Sequence, residues 1–282
     1  MNPPIIIMGM HRSGTSLVAR LLESLGLFIG AFKDSNHESY FYQTINDWLL
    51  RIAGGSWDNP SAFDRLLQNS EAHQIVLNHT GKVLNSFHYM RYAGLKHFRR
   101  HGKYNGYDFI WGWKDPRNSI TLPIWLELFP EARVIHVCRH GIDVAHSLHT
   151  RQKTWFRRAE WPNPFRRIRY LLRPFGGIYL RSVGFQTYEE GIDLWALYMQ
   201  RACDNMALLK NSALDIRYED LLLEPEKTIR QMVEYCGLKL DAEKLSVMLN
   251  SIHPDRAYAY RKECALTKLA SLHSQTLNRF GY

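Results

Sequence analysis

An apolar run, Ile5 to Met8, leads directly into GMHRSGTS (Gly9 to Ser16) and then into LVARLLESLG. That order predicts a strand, a glycine-bracketed turn and an amphipathic helix. The pattern GxxxxGK[ST] is met at Gly9, Gly14 and Ser16, but its lysine position holds Thr15. Backbone N–H groups of such a turn, with the positive end of the following helix, receive a cluster of anionic oxygens. Loss of the lysine argues against an ordinary ATPase. Arg12 supplies a replacement cation inside the turn, and Ser13, Thr15 and Ser16 add three hydroxyls. On the turn alone, a strand-to-helix connection without a ligand is the competing reading.

With RSGTS at Arg12 to Ser16, the chain resembles the sulfotransferases that use 3′-phosphoadenosine 5′-phosphosulfate, PAPS. Their phosphosulfate loop reads as a cation, then SGT, then a hydroxyl residue. The resemblance implies that His11, Arg12, Ser13, Gly14, Thr15 and Ser16 bind the co-substrate. A second motif lies at RVIHVCRHGIDVAHSL, where a β-branched strand ends in Arg139 and a helix-like segment carries Ser147. A guanidinium and a hydroxyl at adjoining strand and helix ends suit a phosphate monoester. In the resembled family an Arg and a Ser eight positions apart hold the 3′-phosphate, and the spacing here is the same. A third element, LDIRYEDLLLEPEKTIRQMVEYCGL, reads as strand, turn and amphipathic helix, with Ile229, Met232, Val233 and Cys236 on one side. The resemblance places Tyr218 against the adenine, where the alternative is a core tyrosine. It also brings the C-terminal Arg261 back to the 3′-phosphate, although a surface pair with Lys262 reads equally well.

Chemistry at the transferring group calls for a cation and a base. A strand ending at Trp113 hands over to Lys114, Asp115, Pro116 and Arg117, at the edge where open α/β sheets bind ligands. Lys114 is therefore expected to reach the transferring group. Many members of the resembled family carry a histidine base two residues further on, where this chain has Pro116. A hydroxyl acceptor still needs a proton acceptor within reach. Glu38 is the first candidate: the resemblance implies it, since Glu38 follows the loop helix at a distance similar to that of the base glutamate in tyrosylprotein and glycan sulfotransferases, and Tyr40, Phe41 and Tyr42 beside it would raise its pKa by desolvation. A helix-capping role following Ser35 or Asn36 is the competing reading, and His37 and Asp115 stand in reserve.

The 282 residues, 45% of them hydrophobic, suffice for one large α/β domain over residues 1–282. Alternation of strands and helices predicts a three-layer fold, a central parallel sheet flanked by helices. With the loop, this is the P-loop NTPase-like sulfotransferase fold that the resemblance implies. No apolar run reaches the length of a membrane span, and the first strand starts too early for a signal peptide, so a cytoplasmic protein is expected. Four cysteines without metal spacing are expected to be reduced core thiols. The net charge of +9 is concentrated: residues 151–181 hold nine lysines or arginines and one acid. This basic, aromatic-rich insertion, at about 151–185, borders the acceptor site, contacts a membrane periphery, or is simply solvated. No nucleic-acid surface is expected.

Transfer of a sulfuryl group from PAPS to a hydroxyl or amine, leaving PAP, is the reading that unites these motifs. Arg12, Lys114 and the loop N–H groups would stabilise charge, Glu38 would take the proton, and no metal would be needed. The acceptor would be a glycan, a lipid or a small natural product; sequence does not set the oligomeric state. A P-loop kinase using ATP and Mg²⁺ and a non-catalytic polyanion-binding protein are the alternatives.

Overall fold

The computed structural model describes residues 2–102, 107–160, 182–209 and 213–282. Most of the basic insertion, residues 161–181, lies outside the described residues. The chain forms two compact units, one from residues 1–139 and 197–258, the other from residues 140–196 and 259–282.

Four parallel strands, all in the first unit, build the sheet: β1 (Ile5–Met8), β2 (Gly112–Lys114), β3 (Arg133–Cys138) and β4 (Leu214–Arg217), in the order β2-β1-β3-β4. β1 is buried along its whole length, as its unbroken apolar run requires of a strand covered on both faces. One face carries Ile5, Ile7, Ile135, Val137 and Ile216, packed with Val18 and Leu22 of α1 (Thr15–Ser24) and with Ile229 and Met232 of the helix Pro225–Cys236. The other face is aromatic: Trp113 of β2 stacks on Tyr42 of α2 (Tyr40–Ile52), with ring centroids 3.9 Å apart and planes 2° from parallel. Gly112 is required at its position, since a Cβ there would lie 1.9 Å from the Ile5 carbonyl oxygen.

Strand order determines where a ligand fits. The chain leaves β1 towards β2 on one side, then crosses back to β3 on the other. The crevice beyond the carboxyl ends of β1 and β3 is therefore the switch point of the sheet, where doubly wound folds bind ligands. The loop Gly9–Ser16 follows β1 there, and Arg139 follows β3.

Several boundaries differ from the sequence reading. β2 runs one residue further than expected, so Lys114 is its last residue and pairs in register with Ile7. Between the two strands β1 and β2, the short α3 (Phe63–Gln68) is followed by α4 (Ser70–Leu84) and α5 (Met90–His101), and Gly94 leaves helical geometry within α5. The turn expected after Tyr218 is instead a short helix, Tyr218–Leu223; Pro225 opens the next helix and Gly237, at φ 67°, closes it. Cys138 and Cys236 are buried as expected, but Cys203 and Cys264 are exposed on the outer faces of their helices. Among the described residues no helix is long and apolar enough to cross a membrane.

A buried polar knot ties α2 to α6 (Asn118–Leu128). Asn46 Nδ2 donates to Asp115 Oδ2 and Asn118 Oδ1, each at 2.9 Å. Its Oδ1 accepts from Thr121 Oγ1 at 2.8 Å and from Trp125 Nε1 at 2.9 Å. Asn118 Nδ2 in turn donates to the Ile7 carbonyl at 3.1 Å. Asn46→Ala would strand these buried groups, so it is expected to destabilise the fold by about 2–4 kcal/mol. A thermal melt unchanged from wild type would reject the structural weight placed on this knot.

In the second unit, α7 (Gly141–Glu160) packs closely on the start of the helix Tyr188–Met206. A Cβ on Gly191 would come within 2.9 Å of Ala145. The Tyr260 N–H donates to Asp143 Oδ1 at 2.8 Å, and His140 stacks on the Tyr260 ring at 4.2 Å.

Candidate active site

The loop after β1 has the geometry of an anion cradle. Gly9 and Gly14 take φ values of 146° and 100°, which favour glycine, and Arg12 takes φ 74°, a left-handed conformation uncommon for a side-chain-bearing residue. Thr15 and Ser16 open α1, so the first N–H groups of that helix face the loop without intrahelical acceptors. Ser13 is fully buried, and its Oγ has no hydrogen-bond partner among the described residues. A buried, unpartnered hydroxyl inside this turn is a donor awaiting an acceptor. Gly14 is fixed by sterics as well as by φ, since a Cβ there would lie 2.2 Å from the Tyr218 ring. Gly14→Ala is accordingly expected to abolish anion binding by the loop, measured by titration with inorganic phosphate or a nucleotide. Retained affinity would show that the loop is not the binding element.

Lys114 and Glu38 meet beside this loop. A turn in which Asp34 Oδ1 accepts from the N–H groups of Asn36 and Glu38, both at 2.9 Å, presents Glu38 just before α2. The N-cap of α2 is Ser39, not Ser35 or Asn36, so Glu38 precedes the helix instead of sitting in its first turn as the capping reading requires. That carboxylate accepts from Lys114 Nζ at 2.9 Å and from Gln43 Nε2 at 2.9 Å. Lys114 Nζ also reaches Ser16 Oγ at 3.3 Å, and so bridges the loop hydroxyl and the carboxylate. Only 6% of Glu38 and 1% of Lys114 is exposed. Burial pushes the Glu38 pKa above the usual carboxylate range; the charge of Lys114 opposes this, and that of Asp115 adds to it. Such a carboxylate is poised to take a proton.

The reserve candidates are committed elsewhere. Asp115 is fully buried and accepts from Arg117 Nη1 at 2.9 Å and from Asn46. His37 Nδ1 lies 2.8 Å from Glu23 Oε2, and Glu23 also pairs with Lys33.

A second cationic group lies beyond β3 and β4. Arg139 Nη1 donates to the Arg12 carbonyl and Nη2 to the Arg256 carbonyl, each at 3.4 Å. The Arg139 guanidinium lies over the Tyr218 ring, 4.7 Å from its centroid. Tyr218, nearly buried, thus touches both Gly14 and Arg139 and links the loop to this group. Although Arg12 is exposed overall, desolvation at its place in the loop lowers its pKa, with further lowering from Arg139 and Arg256. Arg12, Arg139 and Arg256 thus gather positive charge beside the loop, an arrangement that suits an anion. On the other side of the loop, the His11 ring packs edge-on against Trp57 at 4.6 Å and lies 6.2 Å from Tyr198, whose hydroxyl donates to the Trp57 carbonyl at 2.7 Å.

The sequence matches the Sulfotransferase family over residues 3–242. The chain belongs to the sulfotransferase family. It is similar in fold to the sulfotransferase domain of the Synechococcus PCC 7002 olefin synthase, with a TM-score of 0.53 and 18% identity over 100% of this chain and 95% of that one. It is similar also to sulfotransferase STF1 from Mycobacterium tuberculosis H37Rv, with a TM-score of 0.54 and 15% identity over 100% of this chain and 77% of that one. The sulfotransferase domain of the curacin biosynthetic pathway gives a TM-score of 0.50 and 15% identity, covering 97% and 98% of the two chains. Comparison with curated proteins finds no match. The protein is a sulfotransferase, with the central parallel sheet and flanking helices of that fold.

Of the residues singled out in sequence, the first unit of the sulfotransferase brings together Arg12, Ser13, Gly14, Ser16, Glu38, Lys114, Arg139 and Tyr218. Ser147, on α7, and Arg261, whose guanidinium lies 5.8 Å from the Tyr260 ring centroid, belong to the second unit. Three contributors were not foreseen. Arg256 joins Arg139, Gln43 donates to Glu38, and Ser119 Oγ accepts from the Gly9 N–H at 3.0 Å. Arg256 ends a single 3-10 turn, Pro254–Arg256, too short to carry a periodic or motif signal.

Proposed function

We propose that this sulfotransferase takes its sulfuryl group from PAPS and releases PAP. The observation that carries this reading is a pair of donor and cation clusters beside the carboxyl edge of the sheet: the loop with Ser13 and Lys114, and the Arg12, Arg139 and Arg256 group, joined through Tyr218. A nucleotide with a phosphosulfate at one end and a separate 3′-phosphate matches two sites, whereas ATP presents a single polyphosphate chain. Thr15 in place of the Walker lysine further disfavours the kinase alternative.

In this reading the loop N–H groups, Ser13 and Ser16 hold the phosphosulfate, and Arg139 with Arg256 holds the 3′-phosphate. Tyr218 keeps the two sites at a fixed separation and borders the adenine. For Ser147 and Arg261 the support is the family resemblance, with the eight-residue spacing from Arg139 in the case of Ser147. The acceptor hydroxyl oxygen attacks sulfur as the sulfur–oxygen bond to the phosphate breaks. The hydroxyl proton passes to Glu38, and the electron pair of the broken bond leaves on the 5′-phosphate of PAP. Lys114, set between Ser16 and Glu38, offsets the charge that grows on the sulfuryl and leaving oxygens. The acceptor class is a hydroxyl-bearing glycan, lipid or small natural product.

Titration calorimetry with PAP, compared with ATP and Mg²⁺, tests the nucleotide, and labelled PAPS with an acceptor panel then tests turnover. Tighter binding of PAP is expected. Preferential binding of ATP with Mg²⁺ would overturn the reading in favour of a kinase.

A further inference from the structure

Between Glu71 and Asp108 the sequence contains six lysines or arginines and no acid. The latter part of this stretch forms a single 3-10 turn, Phe87–Tyr89, and then α5 with its break at Gly94. Tyr89, Tyr92 and Ala93 anchor it in the interior. Before the break, Phe87, His88, Met90 and Arg91 face solvent; after it, Leu95, Lys96, Arg99 and Arg100 do. Their spacing puts each group of four along one side of its own helical segment. Phe87 is 68% exposed, Leu95 52% and Met90 36%, large values for apolar side chains gathered on one short segment. Arg91, Lys96 and Arg99 make no ion pair among the described residues, and Arg100 meets only the exposed Asp108, at 3.9 Å. Desolvation lowers the His97 pKa, and the positive neighbours His101, Lys96 and Arg100 lower it further, against Asp108, which raises it.

We propose that this segment, Phe87 to Arg100, docks the enzyme on an anionic lipid bilayer. Phe87, Met90 and Leu95 enter the headgroup layer, while Arg91, Lys96, Arg99 and Arg100 meet lipid phosphates. A soluble polyanion needs the cations alone; the exposed apolar side chains interleaved with them are what a bilayer uses. The proposal is independent of the nucleotide assignment.

The test is co-sedimentation of the full chain with vesicles of phosphatidylcholine, and of phosphatidylcholine mixed with phosphatidylglycerol. Wild type is expected to partition onto the mixed vesicles and not onto the neutral ones. The triple variant Lys96→Glu, Arg99→Glu, Arg100→Glu should lose on the order of tenfold or more in partitioning. The double variant Phe87→Ser, Leu95→Ser should lose roughly fivefold. Both should keep the wild-type circular dichroism spectrum and nucleotide affinity. Equal partitioning onto the two vesicle types overturns the proposal, as does wild-type binding by the triple variant, which would assign the contact to another basic surface. Wild-type binding by the double variant would also overturn it, since the apolar side chains would then not enter the headgroup layer.

Discussion

Glu38→Gln is expected to lower kcat by about 10²-fold or more while leaving PAP affinity close to wild type. The substitution keeps the shape of the side chain and its place beside Lys114 and Gln43 but removes the lone pair basic enough to take a proton. The pH dependence has a definite sign. Only the ionised carboxylate accepts a proton, so the wild-type rate rises with pH through the Glu38 pKa, which burial sets above the usual carboxylate range. The Gln variant should lose that acidic limb. Lys114→Met, by removing the charge that opposes the desolvation of Glu38, should move the limb to still higher pH. Wild-type turnover by Glu38→Gln would remove Glu38 as the base, and a parallel loss of PAP affinity would make its role structural.

Arg139→Ala should weaken PAP binding by roughly 10- to 100-fold, the range for a lost charge-assisted contact. Binding of adenosine 5′-phosphosulfate, which lacks the 3′-phosphate, should change much less. This contrast separates recognition of the 3′-phosphate from support of the loop, because Arg139 also donates to the Arg12 carbonyl. Arg256→Ala should show the same selectivity in smaller degree, since Arg256 meets Arg139 through its backbone and is otherwise exposed. Equal losses for the two nucleotides would reject the assignment of Arg139.

The features readable in sequence are those encoded by neighbours along the chain. The Gly9–Ser16 loop, the β-branched run ending before Arg139 and the strand delivering Lys114 each rest on a contiguous pattern, and the structure gathers them at one sheet edge. Glu38 was singled out by its distance after the loop helix, which resembles that of a base glutamate in related sulfotransferases, with its aromatic neighbours in support. What escaped depends on contacts between residues far apart in the chain. Tyr218 packs on Gly14 from 204 positions away, a contact visible only once the strand order is known. Asn46 looks like a polar residue on an amphipathic helix, yet it is fully buried because four partners on and before α6 satisfy it. Arg256 comes from a 3-10 turn of three residues, too short for hydrophobic periodicity to register. Cys203 and Cys264 misled for a related reason: apolar neighbours in sequence do not say which side of a helix turns inward.

A crystal structure with PAP bound tests the two-site account most directly. The account predicts the 5′-phosphate in the Gly9–Ser16 loop and the 3′-phosphate against the guanidiniums of Arg139 and Arg256. A nucleotide bound with Arg139 remote from either phosphate would contradict it.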